Sequence, residues 1–229
     1  MALVVRAFPV RDRARVDAFV SELQHRAAET RRFYNALGVR REAWFWQDGD
    51  HQAFVICVTD VDDPIGPAVE AYAAADGDFA RWFKAQVMEL SGVDPNEQPL
   101  GPVSEQVFDS SLRRLQDGVT LIVRAYPIYS REIVLRFVEE LGAKPDEIRS
   151  MYERFGVQRE SWFIQETPSG PMTIAVAAIP DPDSAACAYA KADDPCTVWF
   201  KQRVVEVSGV DPNHTPLGPR TTLLYDYQA

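Results

Sequence analysis

Two arginines stand in the middle of apolar runs, Arg6 in LVVRAFPV and Arg124 in TLIVRAYPI. A guanidinium in that setting calls for a carboxylate partner, because an unpaired buried charge is costly. Glu42, Glu160, Asp109 and Asp226 are the acids that recur with these arginines, and a structural ion pair with one of them is the first reading. The alternative is an anion clamp: the planar fork of donors suits a ligand carboxylate or enolate. Aromatic groups gather in the same stretches, with Tyr34, Trp44, Phe45, Tyr72, Trp82 and Phe83 matched by Tyr152, Trp162, Phe163, Tyr189, Trp199 and Phe200. Trp and Tyr at a pocket wall bind flat rings and offer an N–H or O–H donor. Arg6, Tyr34, Trp44 and Trp82, and Arg124, Tyr152, Trp162 and Trp199, are therefore the candidate ligand-binding residues, with ordinary core packing as the alternative for each ring. Tyr72 and Tyr189 could donate a phenolic proton or cap the core. Lys84 and Lys201 point away from the apolar helical stripe and are expected in solvent. No single residue stands out as catalytic.

Other chemistries find little support. The three histidines, His25, His51 and His214, fall on a polar part of a helix and in two turns, and their counterparts in the repeat described below are not histidine. Cys57, Cys187 and Cys196 show no Cys-x-x-Cys or His-x-x-x-His spacing, so no metal site is predicted and the thiols are expected to be reduced. A net charge of −10 and a pI near 4.8, without a basic stripe, argue against nucleic acid. No stretch approaches a membrane span or a signal peptide, and a cytoplasmic location is expected.

The elements that must position these residues are written twice. From Leu3 to Gln47 the chain recurs 118 residues later with 21 of 45 positions identical, and from Ala71 to Pro102 it recurs 117 residues later with 20 of 32 identical. Such self-similarity means two units of one fold, with domains at residues 1–110 and 119–229 and a linker around Ser110 to Gly118. Each copy opens with a β-type run closed by proline. A helical stretch follows, its buried face marked by Val16, Phe19, Val20 and Leu23 and by Val134, Phe137, Val138 and Leu141, and ends at Gly38 or Gly156. Gly142 and Pro145 break the second copy's helix, while the first copy's helix is expected to lack that break. A hairpin, a second helical region restarting at DGDFARWF or DDPCTVWF, a glycine stop at Gly92 or Gly209, and a last strand complete the order βαββαβ, twice.

That order is the ferredoxin-like unit, an α+β arrangement with both helical regions on one face of an antiparallel sheet. With its helical Trp-Phe-Lys, the following SGVDPN and the PLGP segment, the chain resembles the dimeric α/β-barrel superfamily in its tandem, single-chain form. Uncharacterised members resemble it most; antibiotic-biosynthesis monooxygenase-like and stress-responsive barrel proteins are further relatives. The resemblance implies an intramolecular barrel, a pseudo-dimer within one chain that leaves room for a higher oligomer. It also implies a small-molecule enzyme acting on a hydrophobic or aromatic substrate without a cofactor, as a monooxygenase or a cyclase/isomerase. Several barrel enzymes carry a histidine near the start of the second helix; here that place reads Phe79-Ala80-Arg81-Trp82 and Cys196-Thr197-Val198-Trp199, so a haem-ligand role has no support. A non-catalytic ligand-binding or structural barrel is the alternative. Because the two copies differ at the helix break and at Trp46/Ile164, pockets of equal shape are not expected.

Overall fold

The computed structural model describes residues 2–49, 52–62, 64–110 and 119–229. In chain order the first elements are β1 (Ala2–Val10), α1 (Arg13–His25), α2 (Ala27–Ala36), β2 (Val39–Gln47), β3 (Ala53–Val61), α3 (Gly66–Ala74), α4 (Asp78–Ser91) and β4 (Ser104–Asp109). They are followed by β5 (Leu121–Pro127), α5 (Arg131–Gly142), α6 (Pro145–Arg154), β6 (Arg159–Thr167), β7 (Gly170–Ala178), α7 (Pro182–Lys191), α8 (Pro195–Ser208) and β8 (Thr221–Gln228). The fold is α+β, with two four-stranded antiparallel sheets ordered β1-β3-β2-β8 and β4-β6-β7-β5.

The compact units are residues 1–104 with 221–229, and residues 105–220. They differ from the sequence repeats 1–110 and 119–229 by one strand each, because the last strand of each repeat joins the sheet built from the other repeat. Local sequence specifies that a strand forms but not which edge it takes. At each edge a bidentate ion pair fastens the incoming strand, at matching places. Arg41 on β2 donates from Nε and Nη2 to the two carboxylate oxygens of Asp226 on β8, each at 2.9 Å. Arg159 on β6 donates in the same way to Asp109 on β4, at 3.0 and 2.5 Å.

Helix boundaries follow the local signals. Asp12 caps α1 by accepting from the Arg15 N–H, and Asp194 caps α8 by accepting from the Thr197 N–H. Gly92 and Gly209 close α4 and α8 at φ 73°, the left-handed region glycine enters without strain. The first repeat's helix, expected to lack a break, is also broken: it stops at His25 and restarts at Ala27, without glycine or proline. The side chain of Thr30 holds this break by donating to the carbonyls of Leu23 and Arg26 at 3.1 Å. Arg26 adds a bidentate pair with Glu29 and lies over the rings of Phe79 and Trp82. In the second repeat Gly142 and Pro145 make the break, as expected.

Within each unit the helices cover one sheet face. In the first, Val16, Phe19 and Leu23 of α1, Phe33 and Tyr34 of α2 and Phe83 of α4 pack with Val4, Trp44, Trp46 and Val55 of the strands. In the second, Val134, Phe137, Met151, Tyr152 and Phe200 pack with Trp162 and Ile164. Val5, Ala7, Ala43, Phe45, Ile56 and Val58 on the other sheet face of the first unit are buried as well.

Lys84 and Lys201 correct an expectation. They are 7% and 5% exposed rather than solvated. Lys84 Nζ donates to the carbonyls of Ala73 and Ala75, and Lys201 Nζ to those of Ala190 and Ala192 and to Asn213 Oδ1. The carbonyls at a helix C-terminus have no intrahelical donors and carry partial negative charge, so an ammonium is drawn to the ends of α3 and α7. No helix of the described residues is long and apolar enough to cross a membrane.

Candidate functional site

Strand register lays out the floor of a cavity in each unit. Arg6 of β1 pairs with Cys57 of β3, which pairs with Trp44 of β2, which in turn pairs with Tyr225 of β8. Side chains in such a row share one face. One step along, Thr59 pairs with Glu42. In the second unit Arg124, Ala175 and Trp162 form the matching row, and Ala177 pairs with Glu160. Tyr34, Tyr72 and Phe83 from the helices close the first cavity, of about 90 Å³; Tyr152, Tyr189 and Phe200 close the second, of about 140 Å³.

A carboxyl group lies buried in each. Glu42 is 7% exposed and accepts from Trp44 Nε1 at 2.6 Å. Glu160 accepts from Trp162 Nε1 at 3.0 Å. Residues two apart on a strand project to the same side, so Glu-x-Trp builds this pair locally. Burial pushes the Glu42 carboxyl up to about 7, against the hydrogen bonds from Thr59 and Trp44, which favour the charged form. Burial raises Glu160 too, opposed by the hydrogen bond from Trp162. The Tyr34 and Tyr152 hydroxyls are buried and meet no partner at hydrogen-bonding geometry. Desolvation, reinforced by the neighbouring glutamate, raises both phenols well above their ordinary range, so each is a proton-bearing donor. An unsatisfied buried hydroxyl costs about 1–3 kcal/mol.

Arg6 does not follow the ion-pair expectation. Asp226 and Asp109 are held by Arg41 and Arg159, and Glu42 and Glu160 by the tryptophans. Arg6 Nη1 donates instead to the Val5 carbonyl and to Ser104 Oγ, and its Nε has no partner. Arg124 donates to the carbonyls of Val123 and Leu217. The reason is topological: β3 separates Arg6 from Glu42, two strand spacings or about 10 Å. Desolvation lowers the Arg6 guanidinium to about 10 and moves Arg124 in the same direction.

Of the candidate residues, Arg6, Tyr34 and Trp44 line the first cavity and Arg124, Tyr152 and Trp162 the second. Trp82 and Trp199 lie outside both linings. Trp82 packs edge-on to Phe19 under Arg26, and Trp199 edge-on to Phe137 beside Lys144. At the edge of their helices they serve the core rather than a pocket wall. His214 is exposed and bonded to Asp211, His25 is exposed, and His51 lies outside the described residues, as does most of the expected linker.

The sequence reading missed the carboxyls as cavity groups and the loops as its rim. Ser91, Val93 and Pro95 of SGVDPN and Leu100 and Gly101 of PLGP line the first cavity, and Ser208, Val210, Pro212, Leu217 and Gly218 line the second. Their identity between the two copies was the available signal. Gly101 and Gly218 sit at φ 93° and 78°, and a Cβ at either would overlap the Phe8 ring or the Tyr126 hydroxyl. The PLGP glycine therefore makes room for the aromatic residue two places after the strand arginine.

No protein-family model matches the chain, and no curated protein is similar to it at a significant level. Among solved structures, an anthrone oxidase-like protein is similar at a TM-score of 0.53 and 11% identity, over 99% of this chain and 92% of that one. A protein named "Putative monooxygenase" from Fusobacterium nucleatum is similar at a TM-score of 0.50 and 12% identity, over 99% of this chain and 93% of that one. At these identities the likeness is one of fold, and the chain shares with both proteins an α+β fold along nearly its whole length.

Proposed function

We propose that the protein is a small-molecule enzyme that takes a hydrophobic, aromatic substrate into a cavity within a unit and moves a proton between that substrate and the buried glutamate. The observation that carries this reading is a carboxyl raised to about 7 inside an apolar cavity, beside a tyrosine hydroxyl with no partner. A carboxylate near neutral pKa is matched to abstract a proton at physiological pH and to return it. The tyrosine is placed among the same lining residues to donate to an oxygen on which charge develops. The chemistry that fits is removal of an acidic proton from a phenol or from carbon next to a carbonyl. The resulting anion then reacts with dioxygen, as in a cofactor-independent monooxygenase, or rearranges, as in a cyclase or isomerase. The names of the two structural neighbours support the oxygenation branch. The second cavity, about 140 Å³, is close to the roughly 150 Å³ of an engineered cavity that holds benzene, so it takes about one ring without rearrangement.

Oxygen consumption and spectral change with anthrone, and with smaller hydroxy- and keto-arenes, test this directly. Turnover that falls at least tenfold in Glu160→Gln or Glu42→Gln, with binding retained, is expected. Binding without turnover by the wild-type protein would replace the enzyme reading with the non-catalytic ligand-binding one.

A further inference from the structure

The two cavities share most of their apolar wall positions, but their unsatisfied polar groups differ. In the first, the buried atoms without a partner are Tyr34 Oη and Arg6 Nε; in the second they are Tyr152 Oη and Thr173 Oγ1. Two substitutions between the repeats and one difference in backbone conformation bear on this. Position 55 is valine where the second copy has Thr173, so the first cavity lacks that hydroxyl. Position 8 is phenylalanine where the second copy has Tyr126, whose hydroxyl bonds the Leu217 carbonyl at 3.3 Å. The same Leu217 carbonyl accepts Arg124 Nε at 3.1 Å, whereas Leu100, its counterpart, adopts φ 66° and takes no bond from Arg6. A leucine in the left-handed region is unfavourable by about 1–2 kcal/mol, and such strain tends to persist where a site requires it. Cys57 further distinguishes the first cavity, standing where the second has Ala175.

An arginine whose Nε–H is buried and unpaired, with no carboxylate among the described residues acting on it, is a site short of an anion. Of the groups around Arg6, Cys57 is held far toward its neutral thiol by burial, and Glu42 lies two strands away, so no fixed negative charge occupies the place. The second cavity presents two neutral hydroxyls instead, with Arg124 Nε already committed to a carbonyl.

We propose that the two cavities have separate ligands. The first takes a small aromatic anion, its carboxylate or phenolate oxygen held by Arg6 Nε. The second takes a neutral hydroxy- or keto-arene, its oxygen held by Tyr152 and Thr173. This rests on the reading of both cavities as small-molecule sites and adds the charge of what each accepts. A charge-assisted bond to guanidinium discriminates against a neutral isostere, and a site with unsatisfied hydroxyls discriminates against a hydrocarbon, because the mismatched ligand leaves the polar group unpaired.

The test is calorimetric titration of the full chain at pH 7 with benzoate, benzamide, phenol and benzene. Benzoate is expected to bind at one equivalent. Arg6→Met should weaken it at least tenfold, and Arg124→Met or Thr173→Val should change it by less than twofold. Phenol is expected to bind at one equivalent, to be weakened at least fivefold by Thr173→Val or Tyr152→Phe, and to be indifferent to Arg6→Met. In case Arg6→Met does not fold, the side-chain Nε–H resonances of ¹⁵N-arginine-labelled wild-type protein give a second reading. Benzoate should shift one slowly exchanging Nε–H signal, absent from Arg6→Lys, that phenol leaves in place. Benzoate and benzamide binding equally, or benzoate binding unchanged in folded Arg6→Met, would overturn the assignment while leaving the cavities as binding sites. Failure of all four probes to bind would overturn the small-molecule reading together with it.

Discussion

Replacing Glu42 by glutamine keeps the shape of the side chain and an acceptor for Trp44 Nε1, and removes only the charge. The folded-state carboxyl releases its proton at about 7 instead of the usual 4.5, because burial disfavours the anion. Between those values the native state holds a proton that the unfolded chain has lost, so the contribution of Glu42 to stability falls as pH rises through this window. At about 1.4 kcal/mol per pH unit, the gap amounts to a penalty of about 3 kcal/mol at pH 8 that is absent at pH 4. Glu42→Gln should therefore match the wild type in acid and exceed it by up to about 3 kcal/mol at pH 8. Glu160, also raised, titrates in both proteins and cancels in the difference. Urea unfolding followed by tryptophan emission, at intervals from pH 4 to 8.5, measures this difference through the midpoint at constant m. A difference that stays flat with pH, or a variant weaker than wild type at pH 8, would refute the buried-carboxyl argument and weaken the case for Glu42 as a neutral-range base.

Three further outcomes follow from the packing. Residues 1–110 alone lack β8, leaving the edge of β2 unpaired, and should not melt as a native-like monomer. A permutant in which Thr221–Ala229 follows Ser104 through a flexible linker restores that edge and should unfold at a higher temperature than residues 1–110, as judged by thermal unfolding. Lys201→Met strips the donor from two helix-end carbonyls and Asn213, which should lower stability by about 1–3 kcal/mol in urea titration, and Lys84→Met, with two acceptors, should lower it less. Gly218→Ala places a Cβ against Tyr126 at φ 78° and should cost at least about 1 kcal/mol while reducing phenol binding in the same unit, whereas Gly77→Ala, with open space around it, should do neither.

Much of the fold is legible along the chain because its signals are local. The repeat at a spacing of 118 and 117 residues declares two like units, and glycines at positions 38, 92, 156 and 209 mark helix ends whose backbone is left-handed in the structure. The apolar stripe Val16, Phe19, Val20 and Leu23 is buried as its period requires. Arg6, Tyr34 and Trp44 and their second-copy counterparts, which line the cavities, stand out by residue type alone, since a guanidinium or a phenol inside an apolar run is unusual wherever the run folds. The break at Arg26 was not legible, because Thr30 makes it through bonds that require the turn to exist already.

Partnership is what the sequence by itself left undecided. Alternation along β2 sets Glu42 and Trp44 on one face, but only the order β1-β3-β2-β8 puts β3 between Glu42 and Arg6 and so withholds from the arginine the acid it was expected to meet. Likewise the chain announces its last strands, yet only the tertiary structure shows that each completes the sheet of the other repeat, where Arg41 meets Asp226 and Arg159 meets Asp109. Backbone propensity and hydrophobic period act over a few residues and can be read in order. The energy that joins residues a hundred or more positions apart arises only once the chain has brought them within a few ångströms, and the identity of the neighbours in each cavity belongs to that second kind.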